Sequence, residues 1–587
     1  GQDPEADPIT AAGIGDMAGD VFGNGMLLSK SLRLVAAFNH KHIFLDPSPN
    51  KDAWKERKRM FDEGLGWDQF NASLISAGGG VFERSSARIE LSDEAQSVLG
   101  LEQSRLSGEE LIRAILGAPV DLLWNGGIGT YVKASDESHS DAMDPANDRV
   151  RIDGNQVRAR VVGEGGNLGF TQKARVEAAH AGVRLNTDAI DNSGGVDMSD
   201  HEVNLKILLE KMARTGKIAG FDERNQWIEK LEERMIELVL SKNRSGNLSL
   251  SLDQRRLQQR PESFLATLRW LESCGHKLDG LSSEELHSTD HPARFFVRPV
   301  LCSMLGHARL ELKNDILASG GFNQPELESH LLDYFPDQLV QSFPAEVKDH
   351  PLRKEIIVTQ VLNHCTDFGG TTFFWTLMQK TGAHPTQVAL NRLAVEAFIR
   401  AEKLREENHA SAAAELQHLL SIEEQIESMT GMLLMHPRAA RDLMSATKEE
   451  RDRFAAVLEH LELHCTEAAG EKQTGAECMD RAFWLLLQLQ GSEPTAEILQ
   501  VYVSIIQSES MQSVDRYLKQ PISPYKAEMR FYRRISEKRD RIVREMLLGR
   551  IPLDRLNRLK SMTEGEEAQK ALAIYEGLEA VLSRSIE

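Results

Sequence analysis

Over roughly the first two hundred residues, short apolar runs alternate with glycine-rich turns and helical stretches. The runs at 9–13, 42–46, 120–124, 159–163 and 183–187 predict strands. Most are apolar on both faces and several end in Gly, Asp or Asn, the pattern of a buried parallel sheet with crossover helices. The polar, acidic stretch 135–155, with its Asp-Pro and Asp-Gly dipeptides, reads as an exposed loop. Beyond Ser199 the period becomes helical. Trp227, Ile228, Leu231, Met235, Leu238 and Val239 recur at spacings of three and four and mark one apolar face. Similar stripes at 388–405, 413–429, 451–463 and 526–548 carry the helical reading onward, with breaks near Pro261, Pro292, Pro336, Pro351, Pro385 and Pro437. The polar segment 242–247 reads as a linker. The fold expected is an α/β Rossmann-like dinucleotide-binding domain over 1–200, connecting helices over 201–245, and a large, mainly α-helical C-terminal region over 246–587.

Composition narrows the function classes. A chain of 587 residues exceeds one hydrophobic core, and about 150 residues per domain predicts three or four units. The formal charge of -20 opposes binding to phosphate backbones or to an anionic bilayer, so neither nucleic acid nor membrane is expected as a partner. Five scattered cysteines, Cys274, Cys302, Cys365, Cys465 and Cys478, have no C-x-x-C spacing, which fits reduced thiols in a cytoplasm. They also lack the clustered ligand spacing of a zinc site, so no metal is expected. The opening Gly1-Gln2-Asp3-Pro4 enters a strand within ten residues and reads as the start of a fragment.

Four segments carry candidate chemistry. Gly13-Ile14-Gly15-Asp16-Met17-Ala18 follows a strand and opens a helical stretch. Gly13 permits the tight turn, Gly15 lets the backbone approach a pyrophosphate, and Ala18 is small enough for close helix–strand packing. Free amides at the helix start, including those of Asp16 and Met17, then bind phosphate. The next expected strand ends in Asp46, 33 residues after Gly13, where a carboxylate would hold a ribose 2′-hydroxyl and repel a 2′-phosphate. NAD is therefore favoured over NADP, although Lys51 lies nearby. The other segments are Asn125-Gly126-Gly127, Glu164-Gly165-Gly166-Asn167 and Asn192-Ser193-Gly194-Gly195, each a polar glycine turn. Any one alone could be a structural turn. Ser199-x-x-Glu202, ahead of an apolar run, also reads as a helix capping box.

Together these segments resemble the large bacterial NAD-specific glutamate dehydrogenases. The likeness rests on GIGDMAGDVFGNGMLLS at 13–29, HIFLDPSPN at 42–50, LLWNGGIGTYVK at 122–133 and the block 160–204, and it continues through HARLELKNDILAS at 307–319 and GGTTF at 369–373. The resemblance implies oxidative deamination of L-glutamate to 2-oxoglutarate and ammonium with NAD, by a cytoplasmic homo-oligomer. It places Gly13, Gly15 and Ala18 at the pyrophosphate, Asp46 at the adenosine ribose, Asn125 and Gly126 beside the cofactor, and Asn167 near the nicotinamide. Asn192 falls at the junction of cofactor and substrate, and Ser199 near the substrate side-chain carboxylate. The family's turn has alanine where this chain has Gly166. Its catalytic lysine and aspartate lie in a substrate domain preceding the dinucleotide fold, and no residue here takes those roles. Two alternatives remain: a leucine- or phenylalanine-type dehydrogenase, and a non-catalytic NAD-sensing helical scaffold.

Overall fold

The computed structural model describes residues 6–15, 25–50, 52–278, 292–322, 324–406 and 411–435, together with 541 and 543. The stripe at 451–463, that at 526–548 apart from 541 and 543, the break at Pro437, Lys51, Cys465 and Cys478 lie outside them.

In chain order the strands are β1 (Ile9–Ile14), β2 (Leu32–Phe38), β3 (His42–Leu45), β4 (Gly80–Glu83), β5 (Ile89–Glu90), β6 (Arg105–Leu106), β7 (Leu122–Asn125), β8 (Val132–Lys133), β9 (Ile152–Asp153) and β10 (Val161–Glu164). Six of them form one mixed sheet in the order β10-β7-β1-β2-β3-β4. β10, β7, β1 and β2 are mutually parallel, and β3 runs antiparallel to both of its neighbours. Both faces are covered. Ala12, Ile14, Leu123 and Val162 join one buried cluster with the helices Gly108–Leu116 and Gln172–His180, while Ala11, Ala37 and Phe44 join another with Met60 and Trp67. Burial on two sides is why the strands read as continuous apolar runs.

The strand ending at Asp46 was expected to be the second parallel strand. It is the third, and reversed. β2 lies between, unannounced by a glycine turn. Asn39 supplies the reversal: its Oδ1 accepts the backbone N–H groups of Lys41 and His42, both at 2.8 Å, and closes a tight hairpin into β3. The expected strand at 183–187 is reduced to a single bridge, Val161 to Arg184.

The chain divides into two compact units. The first comprises Gly1–Leu250, Gly275–His307 and Leu332–Pro351; the second comprises Ser251–Cys274, Ala308–Leu331 and Leu352–Glu587. In the first, the linker expected at 242–247 is instead continuous helix within Phe221–Gln259. Tertiary bonds override the weak local propensity: Asn243 Nδ2 donates to Ile190 O at 2.9 Å and Ser193 Oγ at 2.8 Å, and Asn247 Oδ1 accepts from Asn186 at 2.9 Å. Leu231, Met235 and Val239 of the expected apolar face are buried.

The described part of the second unit is helical, with Pro261 and Pro385 each opening a helix at its first position. The stripe 388–405 is split into Pro385–Ile399 and Ala401–Arg405 by Arg400, whose φ of 55° ends the first helix. The GGTTF segment forms a turn around Gly370 (φ 81°), where buried Asp253 accepts from Thr371 N at 3.0 Å and Thr371 Oγ1 at 2.7 Å.

Candidate cofactor site

Parallel strands deliver their C-terminal ends to one edge, and three polar glycine turns meet there. Gly15 N donates to Phe38 O at 2.9 Å, Gly126 N to Ile14 O at 2.8 Å, and Gly166 N to Asn125 O at 3.0 Å. Each turn thus extends the ladder by one bond onto the neighbouring strand, which aligns the turns following β1, β7 and β10. Between β1 and β7 the chain order reverses direction across the sheet, the place where open α/β sheets bind ligands.

Side-chain absence makes the turns fit. A Cβ on Gly165 would lie 2.6 Å from the Trp124 ring, and one on Gly166 would lie 2.4 Å from the Gly127 carbonyl oxygen. The alanine of the related motif therefore has no room at Gly166 while the two turns keep this spacing. Asn125 is fully buried; its Oδ1 accepts from Gly127 N at 3.3 Å, and its Nδ2 has no partner among the described residues. A buried donor left over beside a glycine-lined edge fits a polar ligand such as a dinucleotide.

Asn167 and Asn192, 25 residues apart, are brought together: Asn192 Nδ2 donates to Asn167 Oδ1 at 2.6 Å. Under this pair lies a buried charge network. Glu164 accepts from Arg175 Nε at 2.9 Å and Nη2 at 2.7 Å, and Arg175 also meets Asp188 at 3.0 Å. Burial pushes the Glu164 carboxyl up to about 7, against the pull of Arg175. Asp191 accepts from Glu164 N at 3.0 Å and is itself raised by burial. These carboxylates tie the turn after β10 to the segment leading into Asn192.

Other expected residues are placed differently. Asp16, Met17 and Ala18 lie outside the described residues, and Gly13 sits within β1. Asp46 N donates to Val35 O at 2.8 Å, so Asp46 sits beside the middle of β2 rather than at the edge bearing Gly15. Its carboxylate is fully buried and accepts from Ser76 N at 3.1 Å and Ser76 Oγ at 2.5 Å. Ser199 is exposed, but it is no cap. The helix Ser193–Arg214 begins six residues earlier, with Asn192 at the cap position, so the capping-box reading is corrected. Asn243, bonded to Ser193 Oγ, holds that earlier start despite two glycines.

Sequence reasoning missed Thr130, Arg151 and Asp188. Thr130 Oγ1 donates to Leu168 O at 2.8 Å and joins the two turns. Buried Arg151 donates to Thr130 O at 2.8 Å and to Asp148 at 2.6 Å, ordering the polar loop 135–155. Asp188 follows Thr187 at a helix start, a legible signal; Arg151 is one basic residue in a polar loop and left none.

Among the described residues no helix is long and apolar enough to cross a membrane. Residues 1–253 match the family model for the bacterial NAD-glutamate dehydrogenase catalytic domain, and residues 294–479 the model for a glutamate dehydrogenase C-terminal region. The NAD-specific glutamate dehydrogenase of Halomonas elongata is 39% identical over 489 residues, 81% of this chain and 30% of that protein. Those of Mycobacterium tuberculosis and Pseudomonas aeruginosa are 42% and 44% identical over 68% and 66% of this chain. The chain spans 24–30% of the length of these relatives.

Proposed function

Because the chain belongs to the bacterial NAD-glutamate dehydrogenase family, we propose that its first unit is the Rossmann-like cofactor side of an enzyme that oxidatively deaminates L-glutamate to 2-oxoglutarate and ammonium. The observation that carries this reading is the alignment of the glycine turns at Gly15, Gly126 and Gly166 along one sheet edge. Gly13, Gly15 and the succeeding Asp16, Met17 and Ala18 would hold the pyrophosphate of NAD, Asn125 and Gly126 would flank the dinucleotide, and Asn167 with Asn192 would hold its nicotinamide end. NAD, when bound, supplies the hydride acceptor. The chain's own residues bind and orient it: Asn125 Nδ2 offers a buried donor, and the Glu164–Arg175–Asp188 network keeps the Asn167 turn in place. Ser199, exposed in the helix after Asn192, would meet the substrate's side-chain carboxylate. We assign to no residue of this chain the proton transfers made by a lysine and an aspartate in this family. We assign the working enzyme to the cytoplasm as a homo-oligomer.

Titrating the 587-residue chain with NADH by fluorescence tests the reading. Saturable binding without glutamate-dependent NADH formation is the expected result, and absence of NADH binding would overturn it. Asp46 is the second arm. In this reading Asp46, held against Ser76 through Oδ1 while its buried Oδ2 has no partner among the described residues, supports the sheet, and Asp46→Ser lowers stability by about 1–3 kcal/mol, the cost of a lost buried hydrogen bond. NADH affinity stays near that of the parent. A fall of roughly ten- to a hundredfold in affinity would return Asp46 to the ribose.

A further inference from the structure

Three non-glycine residues among those described have a positive φ: Met143, Leu168 and Arg400. Arg400 ends a helix, where a left-handed residue satisfies the last carbonyls, and Met143 turns within the polar loop. Leu168 has no such local reason. Its φ is 59°, a conformation that crowds a Cβ and that glycine adopts without cost. Glycines stand at 165, 166 and 169, so the turn does not lack them.

The turn holds Leu168 by both of its peptide groups. Its N–H donates to Asp188 Oδ2 at 2.8 Å, and its carbonyl accepts from Thr130 Oγ1 at 2.8 Å. Neither bond involves the side chain, and glycine would make both. The residue is 65% exposed. The fold therefore keeps a bulky residue in a strained backbone state only to hold out an apolar side chain, one position after Asn167. The adjoining turn, bonded to it through Thr130, carries a second exposed aliphatic residue, Ile128. Strain retained at a sheet edge that binds ligands points to a contact absent from the free protein.

We propose that Leu168 is a cofactor-positioning residue whose side chain packs on the nicotinamide ring of NAD(H). The inference rests on the cofactor reading above. The ring suits the site: it is flat and largely apolar, its carboxamide matches the adjoining asparagines in hydrogen-bonding chemistry, and covering Leu168 removes apolar surface from water. In that reading the diphosphate lies at the turn after β1, so Leu168 acts on one end of the dinucleotide alone.

Leu168→Gly separates this role from a structural one, because the two predict opposite signs. Removing the Cβ relieves the backbone, so the melting temperature of the chain holds or rises. NADH affinity falls about tenfold, as expected for losing part of a buried leucine contact. ADP-ribose, which lacks the nicotinamide, binds as it does to the parent chain. Leu168→Met restores NADH affinity to within about twofold, since it returns apolar volume. Unchanged NADH binding by Leu168→Gly overturns the proposal, as does parallel loss of NADH and ADP-ribose or a drop in melting temperature. Failure of the parent chain to bind NADH would instead defeat the cofactor reading itself.

Discussion

Arg175→Met destabilises the first unit by about 3–5 kcal/mol at pH 8, the cost of stranding a buried carboxylate. Arg175 is 4% exposed, and it donates twice to Glu164, which is 1% exposed. Without it, Glu164 shares its site with Asp188 and Asp191 and has lost its directly bonded cation. The effect depends on pH with a definite sign. Burial already holds the folded Glu164 carboxyl at about 7, above its ordinary 4.5. A raised folded value contributes stability that is complete below the unfolded value and is lost as pH rises through the folded one. Loss of Arg175 raises the carboxyl further, so the variant is penalised most above pH 7 and far less near pH 5, where Glu164 takes up a proton. Urea unfolding at pH 5 and pH 8 measures the difference, and equal losses at both would refute the assignment. Glu164→Gln combined with Arg175→Met recovers part of the stability, because the most deeply buried carboxylate no longer stands without its guanidinium, while Asp188 still lacks its partner.

Glu423→Leu carries a comparable penalty in the second unit, again about 3–5 kcal/mol. Glu423 accepts from Arg392 Nη2 at 2.6 Å and Arg405 Nε at 2.9 Å, and Glu396 meets both arginines at 2.7 Å. His364 completes the group at 2.5 Å from Glu396. The two carboxylates balance two guanidinium groups that no accessible pH neutralises. Removing Glu423 therefore buries a net positive charge. Burial would raise the Glu423 carboxyl, yet Arg392 and Arg405 hold it below its ordinary 4.5. Its contribution is accordingly present above pH 4.5 and lost as pH falls through the depressed folded value. Thermal unfolding of parent and variant at pH 7 measures the loss. A cost under about 1 kcal/mol, as for exposed pairs such as Lys58 with Asp62, would mean the cluster is solvated.

Much of the candidate site was legible because strand ends and tight turns are local chemistry. The expected strands at 9–13, 120–124 and 159–163 correspond to β1, β7 and β10, and their polar glycine turns meet at one edge. Apolar residues on both faces announce a buried strand, and glycine announces a turn whose backbone must pass close to something else. Helical stripes were legible for the same reason, since the period of 3.6 is written in the residues themselves.

Strand direction, helix starts and backbone strain depended on partners distant in sequence. Whether the run ending at Asp46 lies parallel or antiparallel depends on the Asn39 hairpin and on pairing with β2 and β4. That reversal moved Asp46 away from the edge its sequence interval suggested. The helix beginning at Ser193 runs through two glycines because Asn243, 50 residues on, bonds its first turn. Local propensity is worth a few tenths of a kcal/mol per residue, so such contacts override it. Sequence alone thus determined which segments could be strands, helices and phosphate-type turns. Tertiary structure decided their direction, joined Asn167 to Asn192 across 25 residues, and held Leu168 in a left-handed turn, because each needs bonds from groups far along the chain.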